Sequence, residues 1–477
     1  ADRLLERFSL TEAGGRKAGT TAVSTSTLTF NPTSDFRPGE VLSVSVPATV
    51  LGSAGETNIP HVYQFRAAVG SGGGSFGTPA TLAAGTRPLG LALAELNGDG
   101  NLDLITVNST TAGSARVQLG NGSGGFGPAQ TLSLGNNPGE IATGDVDSDG
   151  DLDAVIANNT SGTVSLLLNA NGTFSVAQTV NVGGEPNGVA LADVDGDGDL
   201  DLLTVKRLSH TVDIQQNDGN GIFTSLGTAA TGSNTLPRNI AVGDVDNDGD
   251  LDLLTSNQNG SVSILLNNGA GTFGSLTLLS ASSNSHLTLG DLDADGDLDL
   301  AVSMVGTGIG IFTNSGGIFN AASTLATNFN PRSVNLADLD GDGDLDALAS
   351  NDDGLVSVHL NGGSGSFAPG PTVPVGQGSQ RMALADLNND GILDLVVSNF
   401  SDNTISIGLG QTAAPGPSIS SFTPAHAVVG TGITISGSNL SGATAVSFNG
   451  TAASGFTVNG AGTQLTVNVP TGATTGP

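Results

Sequence analysis

Residues 193–201 read DVDGDGDLD, five carboxylates within nine positions and a glycine at the sixth. Charges crowded this closely repel one another unless something positive stands among them. The form is D-x-D-x-D-G-x-x-D. Side-chain oxygens at positions 1, 3, 5 and 9, with a backbone carbonyl at 7, can surround one ion, and Gly at 6 permits the sharp turn. A donor set made only of oxygen suits calcium rather than zinc or copper.

The stretch recurs. Loops of this form begin at Glu95, Asp145, Asp193, Asp244, Asp291, Asp338 and Asp386, spaced 47 to 51 residues apart. That is the period of a four-stranded propeller blade, and far longer than a nonapeptide calcium coil. An EF-hand is excluded because its bidentate acid at position 12 is missing; that slot holds Thr106, Ile156, Thr204, Thr255, Val302, Ala349 and Val397. A second ladder runs in step: Phe76, Phe126, Phe174, Phe223, Phe273, Phe319 and Phe367. A buried ring contributes packing area at each repeat, so these Phe are expected to form blade-to-blade core.

Within the third repeat, GVALADV, LDLLTVKR, TVDIQQND and GIFTSLGTAA read as four strands, A to D. The acidic loop joins A to B and a Gly/Asn hairpin joins C to D. The first unit opens with a D-type strand, FGTPATLAA near Phe76, and the last ends with a C-type strand, TISIGLG near Leu409. The N-terminal strand should therefore complete the final blade and remove two open sheet edges. The predicted fold is all-β: a seven-bladed β-propeller over residues 70–410 with calcium-binding loops between strands A and B.

Composition agrees. The 477 residues include 72 Gly, 17 Phe, one Tyr and no Trp, as in an all-β protein rich in tight turns. No apolar stretch approaches the roughly 18 residues needed to cross a bilayer. The opening ADRLLERFSL lacks the marks of a signal peptide, so any export signal is expected to have been removed or to lie upstream. The net charge of -31 is local: the seven loops hold 31 of 44 acids, and the other 13 balance 13 Lys and Arg. With no Cys, an extracellular protein of this kind must be stiffened by packing and hard cations.

These loops and their spacing resemble the FG-GAP/VCBS repeats of integrin α-subunit propellers and of many bacterial surface proteins. The resemblance implies up to seven Ca2+ ions. Its ligands would be Asp145, Asp147, Asp149 and Asp153; Asp193, Asp195, Asp197 and Asp201; Asp244, Asp246, Asp248 and Asp252; Asp291, Asp293, Asp295 and Asp299; and Asp338, Asp340, Asp342 and Asp346. The first loop departs, using Glu95, Asn97, Asp99 and Asp103, and so does the seventh, with Asp386, Asn388, Asp390 and Asp394. Each has lost a carboxylate, which weakens its expected affinity. Position 7 should ligate through its carbonyl, at Asn101, Asp151, Asp199, Asp250, Asp297, Asp344 and Ile392. The five Asp side chains there are then expected to be extra surface charge.

The flanks look cut through domains. Residues 418–477, with ITISGSNL and AVSFNG, resemble part of an IPT/TIG immunoglobulin-like domain, and 411–417 reads as a short linker. Residues 1–69 are similar to the back half of a bacterial Ig-like domain. Such ends belong to a fragment, or to a subunit completed by a neighbour's strand.

Strand direction puts A–B loops and C–D hairpins on one face, and B–C and D–A connections on the other. Arg87, Arg238, Arg332 and Arg381 precede A strands, Lys206 and Arg207 end a B strand, and Arg116 starts a C strand, so the cations fall on the second face, with His210 and His286. Arg87, Lys206, Arg207, Arg238, Arg332 and Arg381 are candidate ligand-binding residues for a protein or glycan partner. The expected role is a calcium-stabilised extracellular adhesion or ligand-binding module of a bacterial surface or secreted protein that neither binds nucleic acid nor enters the membrane. A lectin and a fibre subunit are the alternatives, although a ring without Trp offers few platforms for sugars. An enzyme is disfavoured: five His in unlike contexts, no Cys and no HExxH leave no recognisable machinery.

Overall fold

The structure is a computed structural model that describes residues 67–412 and 417–474 throughout, and shorter stretches between residues 9 and 66. It divides into two units, 1–412 and 413–477.

In the first unit the repeat becomes a four-stranded antiparallel sheet in the order A-B-C-D. The third repeat shows it plainly, with A Pro186–Ala192, B Asp201–Lys206, C Thr211–Asn217 and D Phe223–Ala230. The A strands of the other repeats are Pro88–Ala94, Pro138–Gly144, Pro237–Gly243, Asn284–Gly290, Pro331–Ala337 and Ser379–Ala385. Five of the seven open on proline, which the first residue of a strand tolerates because its N–H is not needed by the ladder. B strands such as Asp153–Asn158 are buried along their whole length, which is why they read as continuous apolar runs. D strands alternate or lie open, as outer strands facing solvent should. In the sixth repeat the D strand is broken into Phe367–Pro369 and Val373–Pro374.

Each A strand lies beside the A strand of the next repeat, and Ser379–Ala385 returns to lie beside Pro88–Ala94. This cyclic order of repeated four-stranded sheets is that of a β-propeller. The last sheet takes its fourth strand from the N-terminal side, because Ala80–Ala83 pairs antiparallel with Thr404–Gly408. A second pairing joins Gly72–Phe76 to Gly410–Thr412, so the ordered repeat region runs two residues past 410.

The Phe ladder lies between neighbouring sheets. Phe174 is 2% exposed against Ala94 and Leu96 of the preceding repeat, Phe223 lies against Val146 and Val155, and Phe319 against Val245 and Leu254. Phe273, Phe367, Phe76 and Phe126 take the same place while only partly buried.

Before residue 67, Ser9–Glu12, Val41–Val46 and His61–Arg66 share a sheet, and Gly19–Ser24 pairs with Thr27–Pro32. Much of the segment predicted as Ig-like, including 1–8 and 47–60, lies outside the described residues, as does most of the linker at 413–416. The second unit builds an antiparallel sheet from Ser418–Thr423, Gly432–Ser438, Gln464–Asn468 and Phe456–Val458. Its core is Ile433, Ile435, Leu440, Leu465 and Val467.

Removing residues 1–83 would leave the outer edge of Thr404–Gly408 unpaired, an open template for other strands. The truncated chain should self-associate more strongly than the intact chain, as size-exclusion chromatography with light scattering would read.

Candidate metal centres and the axial cavity

Each acidic loop is shaped by its own backbone. The glycine at position 6 has φ between 87° and 100° in all seven loops, from Gly100 to Gly391. A Cβ on Gly198 would meet nothing within 4 Å, so conformation and not space demands glycine there. Position 4 is left-handed too but nearer the ordinary αL well, and it admits Ser148, Asn247, Ala294 and Asn389. The carboxylate at position 5 accepts the N–H of position 7 in every loop, as Asp197 does from Asp199 at 3.0 Å. At position 1, Asp193 accepts from Gly196, Asp197 and Gly198.

This folding draws the acids together. Carboxylate oxygens lie within 4.8 Å of one another in five groups: Asp145, Asp147 and Asp153; Asp193, Asp195 and Asp197; Asp244, Asp246 and Asp252; Asp291, Asp293 and Asp295; and Asp338, Asp340 and Asp346. The residues fit a hard cation. Buried Oδ1 atoms of Asp145, Asp147, Asp291, Asp293 and Asp340 have no hydrogen-bond partner, a state that costs free energy unless an ion is bound. Burial first, then neighbouring carboxylates, raises the pKa of Asp147, Asp195, Asp246, Asp293 and Asp340. In the first and seventh loops the position 3 amide donates to the position 5 carboxylate, Asn97 to Asp99 at 3.2 Å and Asn388 to Asp390 at 3.0 Å.

The aspartate at position 9 does more than supply an oxygen. In all seven repeats it is 0% exposed. One oxygen accepts the N–H of position 2 and the other an N–H at the end of strand C: Asp201 takes Val194 at 3.1 Å and Asn217 at 3.0 Å. Asp103 and Asp394 do the same with Leu96 and Gly120, and with Leu387 and Gly410. Desolvation holds Asp153, Asp201, Asp252 and Asp346 up to about 7, against the lowering effect of those two hydrogen bonds.

A residue that sequence reasoning passed over links the loops into a series. The last asparagine of strand C, at Asn169, Asn217, Asn267, Asn314 and Asn361, donates its Nδ2 at 2.8 Å to the position 2 carbonyl of the preceding repeat: Leu96, Val146, Val194, Val245 and Leu292. Its recurrence at the end of five C strands was the available signal. The two remaining repeats carry Gly120 and Gly410 there. The Leu387 and Leu339 carbonyls receive backbone N–H groups instead, from Gly124 at 3.1 Å and Gly74 at 3.4 Å.

Position 7 side chains also have work beyond surface charge. Asp151 accepts from the Asn171 N–H at 2.7 Å, and Asp297 from the Gly316 N–H at 3.1 Å, fastening loop to C–D hairpin. Asp297 also accepts from Asn247 of the preceding loop.

On the opposite face, one cavity of about 130 Å3 is lined by Leu89, Gly139, Asn187, Arg238, Ser285, Arg332 and Gln380, with Glu140 and Arg381. The first seven hold the second position of their respective A strands. Of the six candidate cations, Arg238, Arg332 and Arg381 meet here. The other three do not line it: Lys206 pairs with Asp213 at 2.9 Å, Arg207 with Glu185 at 3.2 Å, and Arg87 lies 4.5 Å over the Phe400 ring. Arg381 pairs with Glu140, and Arg332 holds Asp352 through Nε at 2.7 Å and Nη2 at 2.6 Å. His286 stands near Arg381, and burial with that charge lowers it to about 3. Arg116 lies on its C strand with a buried, unpartnered Nε.

Repeated sheets in cyclic order, each with an acidic A–B loop, define a repeat propeller with clustered carboxylates. The FG-GAP-like repeat family matches residues 96–156, 145–204, 205–255, 245–302 and 338–397, more than half of the chain, and the chain belongs to that family. No curated protein sequence matches it. Among solved structures, BBS1N in complex with ARL6DN is similar at a TM-score of 0.50 and 13% identity, over 73% of this chain and 98% of that one; the likeness is one of fold. A catalytically inactive virginiamycin B lyase from Staphylococcus aureus with quinupristin has a TM-score of 0.48 and 14% identity, over 70% and 99%. A putative 6-phosphogluconolactonase from Bacteroides uniformis gives 0.49 and 17%, over 70% and 96%.

The raised aspartates fix a pH dependence. Their folded pKa, about 6 to 7 at position 9, exceeds the ordinary 3.8. Without divalent ions the folded state therefore binds more protons between about pH 4 and 7, and stability falls as pH rises through that window. Melting temperatures in chelator should drop from pH 5 to pH 7.5.

Proposed function

We propose that this chain is a calcium-stabilised, seven-bladed ligand-binding module that acts outside the cell or at its surface, with the face opposite the acidic loops turned to a partner. The observation that carries the reading is the separation of charge: clustered carboxylates with unpartnered buried oxygens on one face, and three arginines around an axial cavity on the other. Seven blades are supported by the cavity itself, which takes one equivalent residue from each of seven A strands. Calcium is favoured over softer metals because each donor set is oxygen alone. Most acids of the repeats lie in the acidic loops, and Glu140, Glu185, Asp213 and Asp352 outside them are held in ion pairs, which favours a binder over an enzyme. Segments 1–69 and 418–477 are read as bacterial Ig-like and IPT/TIG spacers that present the ring to a protein or glycan.

Loops two to six should bind first and the first and seventh more weakly, because Asn97 and Asn388 lower the ligand charge. For a Kd of about 0.1 mM and calcium at about 1 mM, each site adds on the order of 1.4 kcal/mol by mass action. Isothermal titration should resolve two affinity classes, and EDTA should lower the melting temperature. An unchanged melting temperature would sink the calcium reading. During chelation, hydrogen exchange should rise first in the repeats around Gly120 and Gly410, where the asparagine link is missing; earliest exchange in the third or fourth repeat would contradict this.

The chain has no native cysteine, so the two faces can be blocked separately. Polyethylene glycol attached at Leu208→Cys, 55% exposed between strands B and C, should abolish capture on arrays of immobilised extracellular proteins and glycans. The same polymer at Asn220→Cys, in a C–D hairpin, should leave capture intact. Loss only with Asn220→Cys would place binding on the metal face.

A further inference from the structure

The charges around the axial cavity do not balance. Glu140 engages Arg381, which also donates Nη1 to the Arg332 carbonyl at 3.1 Å. Asp352 takes Arg332 in a two-point pair, and Arg207 nearby is held by Glu185 and Gln258. Arg238 remains. Among the described residues no carboxylate stands within 4.0 Å of its guanidinium, and its Nε is buried without a hydrogen-bond partner. Burial, then the charges of Arg207, Arg332 and Arg381, lowers its pKa. A half-buried guanidinium left among like charges costs free energy that an incoming anion would recover.

The size and rim of the cavity narrow the choice of anion. About 130 Å3 is well below the roughly 300–1,000 Å3 of small-molecule sites, yet it admits one inserted side chain. Two large apolar residues lie exposed on connections of the same face: Leu208, 55% exposed between B and C of the third repeat, and Phe329, 54% exposed before the sixth A strand. Arginines and exposed large apolar side chains on one face are the composition of a protein interface. Sugars would want aromatic platforms, and this cavity is lined by none.

We propose that the axial cavity is a socket for one carboxylate side chain, Asp or Glu, presented by a partner protein, with Arg238 as its ion-pairing ligand. Arg332 and Arg381, fixed by Asp352 and Glu140, supply positive potential and hold the socket's shape. Guanidinium and carboxylate meet through two parallel hydrogen bonds, which gives the contact direction as well as charge. The proposal rests on the reading that the face opposite the metal loops is the binding face.

The test uses the full calcium-loaded chain and sensor surfaces bearing the peptide acetyl-Gly-Glu-Gly-amide, its Gln counterpart, or glucuronate, each at equal density. Retention on the Glu surface should exceed that on the Gln surface at least tenfold and fall with added salt. Arg238→Gln should remove that difference, Arg238→Lys should keep part of it, and the melting temperature of Arg238→Gln should stay level or rise, since a like charge is relieved. Equal retention on Glu and Gln surfaces, or full retention by Arg238→Gln, overturns the proposal. So does a clear loss of stability in Arg238→Gln, which would make the residue structural, and so does equal binding to glucuronate, which would assign the socket to acidic sugars. On the extracellular arrays the two readings separate: if polymer at Leu208→Cys blocks capture while Arg238→Gln retains it, the binding face stands and the socket falls.

Discussion

A buried aspartate at the end of each acidic loop carries one backbone N–H on each of its oxygens, from the loop's second residue and from the end of strand C. This pair of contacts decides where the loop starts, where the C–D hairpin leaves the sheet and how far apart the two lie. It also puts a fully enclosed carboxylate into every repeat, in a loop with two to four more acids. Two amide donors ease that charge but do not cancel it, and desolvation still prevails over them. That residual cost is built into the strand ends of all seven repeats, and in five of them the neighbouring carboxylates gather closely enough to hold a cation.

The ring is held at two levels. On the side of the acidic loops, five asparagines reach back to the preceding loop, so the position of one loop is passed to the next. On the other side, Glu140 and Arg381 join the second and seventh A strands past the first. At Gly90 the first A strand lies close against the second, where an added Cβ would stand 2.3 Å from the Gly139 carbonyl. The asparagine links are absent where the closing strand enters, and the Glu140–Arg381 pair partly compensates by tying the last sheet to the second.

What could be read from the sequence was whatever repeats with the period of the fold. The acidic loops, the Phe ladder from Phe76 to Phe367 and the closure near Leu409 all follow from counting at intervals of 47 to 51 residues. That Arg238, Arg332 and Arg381 share the face opposite the acidic loops followed from expecting them just before A strands, although they occupy the second and third positions of those strands. The partners of those arginines did not, because Glu140 lies 241 residues from Arg381 and only one repeat has an acid there. Asn217 and its equivalents were in plain sight, but Asn at the end of a strand, next to a hairpin, reads as turn chemistry, and nothing local says that its amide faces another repeat. Asp151 and Asp297 escaped for a related reason: a carboxylate in an acidic loop is easily taken as charge, when its oxygens serve as acceptors for the neighbouring hairpin.

The closing pairs have a mechanical side. The chain enters the ring along Gly72–Phe76 and leaves it along Gly410–Thr412, and these strands run antiparallel with Gly72 opposite Thr412. Tension between the segments before and after the ring thus arrives at neighbouring points of one short ladder, and pulls its hydrogen bonds apart one after another instead of shearing them together. Besides that ladder, the load meets the Gly70–Gly391 and Gly74–Leu339 hydrogen bonds, with the Ala80–Ala83 pairing behind them. In a tethered protein the seam would act as a fuse, yielding at low force while the remaining sheets keep their loops, and re-forming when the pull relaxes.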